Sequence, residues 1–188
     1  MTRLSGYMNN HGGRVIMGLD PGTASTGYGV IHAVGNHLRA LDFGVIETAA
    51  NTPLECRLGE IFDEVGRLLQ LHRPSATAIE SLFFNVNVRT ALAVGQARGV
   101  TLLACSRAGC EVFEYTPQQV KLAVAGYGKA DKDQVMEMVK ALLGLRQPPR
   151  PDHASDALGV AICHANTCGI RERVEQCRAG GAREVGLR

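Results

Sequence analysis

Asp20, Glu80, His153 and Asp156 are the residues whose types and spacing suit them to holding metal ions. The first two each end a short apolar run, Arg14-Val-Ile-Met-Gly-Leu-Asp20 and Ser75-Ala-Thr-Ala-Ile-Glu80. A carboxylate at the mouth of a hydrophobic strand has no packing reason to be there, because burying it unpaired is unfavourable. A cation bound at the strand ends removes that penalty. His153 and Asp156 stand three apart, one turn of a predicted helix, and so share a face. Carboxylates gathered around a pair of divalent ions support in-line displacement at a phosphodiester. In that chemistry Asp20 bridges both ions, Glu80 holds one, and Asp156 with His153 holds the other. Taken alone, Asp20-Pro-Gly22 is equally a turn former. His153, beside a plain helix cap at Asp152, reads either as a water-facing residue or as a ligand. An imidazole, with a reference pKa near 6.5, could also take part in proton transfer. Imidazole in place of a carboxylate softens the set and predicts a preference for manganese over magnesium.

The elements needed to bring these residues together are legible. After the strand to Asp20, Thr26 to Ile31 alternates small or polar with apolar residues and predicts a second strand. Gly35-Asn36 is a hairpin signal, and Leu38 to Ile46 supplies a third strand antiparallel to it. Apolar residues at helical spacing run from Pro53 to Leu71, and His72-Arg73-Pro74 stops that helix before the strand to Glu80. A helix from about Val88 to Arg107 leads through Gly109 to a strand at Glu111–Glu114. Within that helix Gly95 and Gly99 share one face and imply close helix approach, in the core or across a dimer seam. Thr116-Pro117 and Asp131 open two further helices. A Pro-rich linker, Gln147 to Pro151, leads to a last helix from Asp152 to about Thr167. The sum is an α/β layer with a mixed five-stranded sheet: the first three strands antiparallel, the others parallel to the first. Sites in such sheets lie beyond the carboxyl ends of the strands, where Asp20 and Glu80 stand.

Composition sets the limits. A chain of 188 residues, 45% hydrophobic and 20% charged, holds one ordinary globular core. No apolar run approaches a membrane span, and no secretory signal opens the chain, so a cytoplasmic protein with no membrane partner is expected. Residues 1–13 read as a flexible leader, 14–168 as the folded domain, and 169–188 as a basic, flexible tail. Six cysteines form no CxxC pair, and Cys163-His164 with Cys168 fits no structural zinc spacing, so reduced thiols are expected. The net charge of +2 is small, but Lys121, Lys129, Lys132, Lys140, Arg146 and Arg150 gather in the C-terminal half, as a polyanionic substrate requires. Phe83 and Phe84 follow Glu80 in a loop, with Asn85, Asn87 and Arg89 beyond them as candidate contacts to such a substrate.

The strings Gly18-Leu-Asp-Pro-Gly22, Thr26-Gly-Tyr-Gly-Val30, Ala78-Ile-Glu80, Gly95-Gln-Ala-Arg-Gly99, Phe113-Glu-Tyr115, Gln119-Val-Lys121 and Asp156-Ala-Leu158 occur in order across the folded region. In this the sequence resembles the RuvC family of crossover (Holliday) junction endodeoxyribonucleases, which have the ribonuclease H-like fold. The resemblance implies a homodimer that binds four-way junction DNA and makes paired symmetric nicks, leaving ligatable 5′-phosphate and 3′-hydroxyl ends. It also implies two divalent cations, Mg2+ or Mn2+, and a branch-migration motor complex (RuvA and RuvB) as partner. Asp20, Glu80, His153 and Asp156 match the family's catalytic positions, although the family commonly has aspartate at the position of His153. Phe83 matches an aromatic that stacks on opened bases, and Lys121 and Lys132 match basic residues near the active site. Three rival classes are a sugar-kinase or actin-like ATPase, a non-catalytic DNA-binding module and an RNA–DNA hybrid nuclease. The first resembles the Asp20-Pro-Gly-Thr23 loop but needs two such domains.

Overall fold

Alternation along the first strand, β1 (Arg14–Asp20), decides the layout. In a strand, successive side chains point to opposite faces. Val15, Met17 and Leu19 join one hydrophobic cluster, and Ile16 joins another on the opposite face. The computed structural model describes residues 13–81 and 88–184, and in it these two clusters lie on the two sides of a single five-stranded sheet. The remaining strands are β2 (Ser25–Val34), β3 (His37–Glu47), β4 (Ala76–Glu80) and β5 (Val112–Tyr115). Their order is β3-β2-β1-β4-β5. β1–β2 and β2–β3 are antiparallel, and β1–β4 and β4–β5 are parallel. This is the mixed sheet the sequence predicts, with β2 and β3 running slightly longer than expected.

Among the described residues five helices flank the sheet: α1 (Leu54–His72), α2 (Val88–Arg107), α3 (Pro117–Ala125), α4 (Lys132–Leu143) and α5 (Asp152–Glu184). α1 and α2 cover one face, contributing Ile61, Val65, Leu68, Ala97 and Ala104 to the cluster with Met17 and Leu19. α3, α4 and α5 cover the other, contributing Val120, Val139, Leu158 and Ile162 to the cluster with Ile16 and Ile31. The hairpin forms at Gly35, whose φ of 56° is left-handed. Thr116 and Asp131 both cap their helices through reciprocal boxes with Gln119 and Gln134.

Two expectations change. The last helix does not stop near Thr167 but continues to Glu184, so most of the segment read as a flexible tail is helical. Arg171 to Ala179 is mostly Arg, Glu, Gln and Ala, which favour helix, and its opposite charges recur at three- and four-residue spacing. A Cβ built on Gly95 or Gly99 would meet none of the described residues within 4 Å, so the close approach the pair implies is not made within the described core. Residues 1–12 lie outside the described residues. Gly13, assigned to the leader, is buried against His32.

Candidate active site

The same alternation aims the acids. Asp20 has the parity of Ile16 and Gly18, and Glu80 that of Ala78, so both point to the α5 face at the carboxyl ends of adjacent parallel strands. α5 can come close there because the sheet beneath it has no side chains. A Cβ on Gly18 would lie 1.9 Å from the Ala157 carbonyl oxygen, and one on Gly27 would lie 2.0 Å from that of His153. One on Gly29 would lie 2.7 Å from Leu158. Gly18 pairs with Gly29 and Asp20 with Gly27 across β1–β2, so the three glycines form one smooth patch leading to Asp20. Onto it α5 lowers its first turn.

The result is a close group. Single ligand atoms from Asp20, His153 and Asp156 all lie within 4.8 Å of one another, and this is the one such group among the described residues. His153 Nδ1 lies 2.7 Å from Asp20 Oδ2, within hydrogen-bonding distance. Glu80 stands outside this tight trio but within its field. Burial, then the charges of Asp20 and Asp156, push its carboxyl up to about 7, and Lys121 opposes the rise. Burial and Asp20 likewise raise the Asp156 carboxyl, against the pull of Lys132. Lys132 Nζ lies 3.1 Å from Asp152 Oδ2 and 3.5 Å from Asp156 Oδ2. Three acids gathered around the strand ends form a donor set that suits divalent cations: hard oxygen ligands, one imidazole and excess negative charge.

The turn beyond Asp20 is braced in a way the sequence did not announce. Thr26 Oγ1 donates to the Gly22 carbonyl at 2.8 Å and accepts from its amide. Thr48 Oγ1 donates to the Thr23 carbonyl. Arg57, from α1, donates through Nη2 to that carbonyl at 2.7 Å and through Nε to Thr48 Oγ1 at 2.8 Å. Thr48 and Arg57 carried no sequence signal, since a threonine at a strand end and an arginine on an amphipathic helix are commonplace. The glycine patch could have been read from Gly27 and Gly29, whose spacing of two puts them on one strand face.

Phe83, Phe84, Asn85 and Asn87 lie outside the described residues, and Arg89 falls in the first turn of α2. His164 pairs with the Tyr115 hydroxyl at 2.8 Å and approaches Cys168.

A mixed sheet of this order with carboxylates converging at β1, β4 and α5 defines a ribonuclease H-like nuclease. Comparison with known proteins narrows the class. The crossover junction endodeoxyribonuclease RuvC family matches residues 16–164. The RuvC of Rubrobacter xylanophilus is 58% identical over 152 residues, covering 81% of this chain and 85% of that protein. The RuvC of Heliobacterium modesticaldum is 54% identical, covering 83% and 98%. Among solved structures, Thermus thermophilus RuvC in complex with a Holliday junction substrate matches with a TM-score of 0.80 and 40% identity, covering 84% of this chain and 96% of that one. This chain belongs to the RuvC family of crossover junction endodeoxyribonucleases, enzymes that cleave DNA.

Proposed function

We propose that the protein resolves four-way DNA junctions by paired symmetric nicks, with Asp20, Glu80, His153 and Asp156 holding two divalent cations. The observation that carries this reading is the convergence of Asp20, His153 and Asp156 ligand atoms within 4.8 Å, from the first strand and the last helix. Bound divalent cations would supply Lewis-acid activation of the scissile phosphate and neutralise charge building on its oxygens. The chain's own residues do the rest. Asp20 sits central in the group, Glu80 and Asp156 flank it, and His153 stays oriented through its bond to Asp20. Lys132 beside Asp156 and Lys121 beside Glu80 place positive charge where a DNA backbone would enter. Water attacks phosphorus in line, the bond to the 3′ oxygen breaks, and a proton passes to that oxygen. The ends are a 5′-phosphate and a 3′-hydroxyl.

Phe83 stacks on opened bases in this reading, with Asn87 and Arg89 contacting DNA nearby. A homodimer supplies the two symmetric cuts. Leu92 and Leu103, 64% and 49% exposed, line up on α2 with Gly95 and Gly99 as a helical apolar stripe suited to a second copy. The cytoplasmic branch-migration motor (RuvA and RuvB) is the expected partner. No helix of the described residues is long and apolar enough to cross a membrane.

Nicking of a mobile four-way junction, mapped at nucleotide resolution, tests the reading. Wild type should give paired symmetric nicks and Asp20→Asn none; an active Asp20→Asn sinks it. Manganese should support faster cleavage than magnesium at equal concentration. Lys121→Ala should lower the salt dependence of junction binding as well as the cleavage rate.

A further inference from the structure

Behind the acids, on the opposite side of the sheet, one arginine reaches through to the strand ends. Arg98 on α2 is largely enclosed, its side chain 11% exposed. Its Nη1 donates to the main-chain carbonyl of Glu80 at 2.8 Å, and its Nη2 meets Glu114 Oε1 at 2.7 Å. Glu114 lies on β5 in register with Ile79 of β4 and so shares the α2 face. One guanidinium therefore joins a helix to the C-terminal ends of two parallel strands. Beyond the β4–β5 ladder, the Ser81 amide donates to the Tyr115 carbonyl at that strand end, 2.7 Å.

Glu80 needs such an anchor. It stands at the end of its strand, outside the tight trio of ligand atoms, and must bring its carboxylate to the others from a fixed backbone. Arginine suits this task because its planar fork makes two charge-assisted bonds in one fixed geometry, which a lysine ammonium cannot reproduce.

We propose that Arg98 is a positioning residue for the metal site: by clamping the Glu80 carbonyl to Glu114 and α2, it sets where the Glu80 carboxylate can meet a divalent cation. This rests on the reading of Glu80 as a ligand. It also makes the placement of that ligand depend on α2, whose outer face bears the apolar stripe.

The test is Mn2+ binding to the full-length, DNA-free protein, read from the loss of the free-ion electron paramagnetic resonance signal. Wild type, Asp20→Asn, Arg98→Met, Arg98→Lys and Glu114→Gln are compared, with junction affinity measured in parallel without divalent metal. Removing a partner that orients a ligand typically weakens metal affinity about 10–100-fold. Arg98→Met should fall in that range while junction affinity stays within about twofold. Arg98→Lys should lose several-fold, and Glu114→Gln, which keeps the bond to the carbonyl, should lose least. Wild-type Mn2+ affinity in a folded Arg98→Met overturns the proposal, as does an equal loss of junction affinity. Should Arg98→Met not fold, wild-type affinity in Arg98→Lys overturns it. If Asp20→Asn binds Mn2+ as wild type does, the metal reading itself is wrong and the role of Arg98 goes with it. Loss in Asp20→Asn with none in the Arg98 variants sinks only the role of Arg98.

Discussion

Adding a single methyl group at Gly27 should disable the enzyme without touching an acid. Gly27 pairs with Asp20 across β1–β2, and its missing side chain is what lets the first turn of α5 sit down. A Cβ there would lie 2.0 Å from the His153 carbonyl oxygen, against 3.4 Å or more for an ordinary contact, so α5 must retreat by about 1.4 Å. The Gly27 φ is not left-handed, so backbone strain adds nothing and the effect is steric. A retreat of that size stretches the His153–Asp20 bond from 2.7 Å to beyond hydrogen-bonding range. Overpacking of this kind destabilises by about 1–3 kcal/mol, which for a chain of this length lowers Tm by about 2–12 °C. Misplacing reacting groups by about 1 Å can reduce rate about 100-fold. Gly27→Ala should therefore cleave junctions about two orders of magnitude more slowly at a temperature where it remains folded. Gly59→Ala is the matched control: on α1 with nothing within 4 Å, it should raise stability by up to about 1 kcal/mol and leave cleavage alone. A Gly27→Ala protein with wild-type Tm and cleavage rate would refute the close-docking argument.

Three further outcomes follow from the same structure. Glu80 has a folded value of about 7 against 4.5 for a free glutamate, so in metal-free protein it stays protonated when the unfolded chain has already ionised. That lowers stability as pH rises from 4.5 to 7; Glu80→Gln in chelator should melt higher than wild type above pH 7 and equally below 4.5, and equal melting at pH 8 contradicts it. Burial lifts the Cys105 and Cys163 thiols to about 11, whereas Cys56 is exposed. Alkylation at pH 8 with peptide mapping should mark Cys56 in the native protein and reach the other two only after denaturation. Thr116→Ala removes the cap of α3 and should cost about 1 kcal/mol in chemical denaturation, with little change in metal binding.

Most of the architecture was legible because short-range rules decided it. Short continuous apolar runs set β1 and β4, Gly35 set the hairpin, and Thr116 and Asp131 set two helix starts. The positions of Asp20 and Glu80 at strand ends were legible for a related reason: a charge ending an apolar strand violates the pattern around it. What escaped was contact between elements distant in sequence. Nothing near Arg57 or Arg98 indicates that their guanidinium groups cap carbonyls 34 and 18 residues away. The length of α5 escaped because Gly169 and the basic run after it resemble a terminus, whereas local helix propensity carries the helix on.

Asp20 belongs to the first strand, while His153 and Asp156 belong to the last helix, and the glycine patch is the seat that joins them. During synthesis, then, a nascent chain that has emerged only as far as β5 holds every strand of the sheet but neither His153 nor Asp156, so the group around Asp20 assembles only once α5 has settled onto the bare glycines.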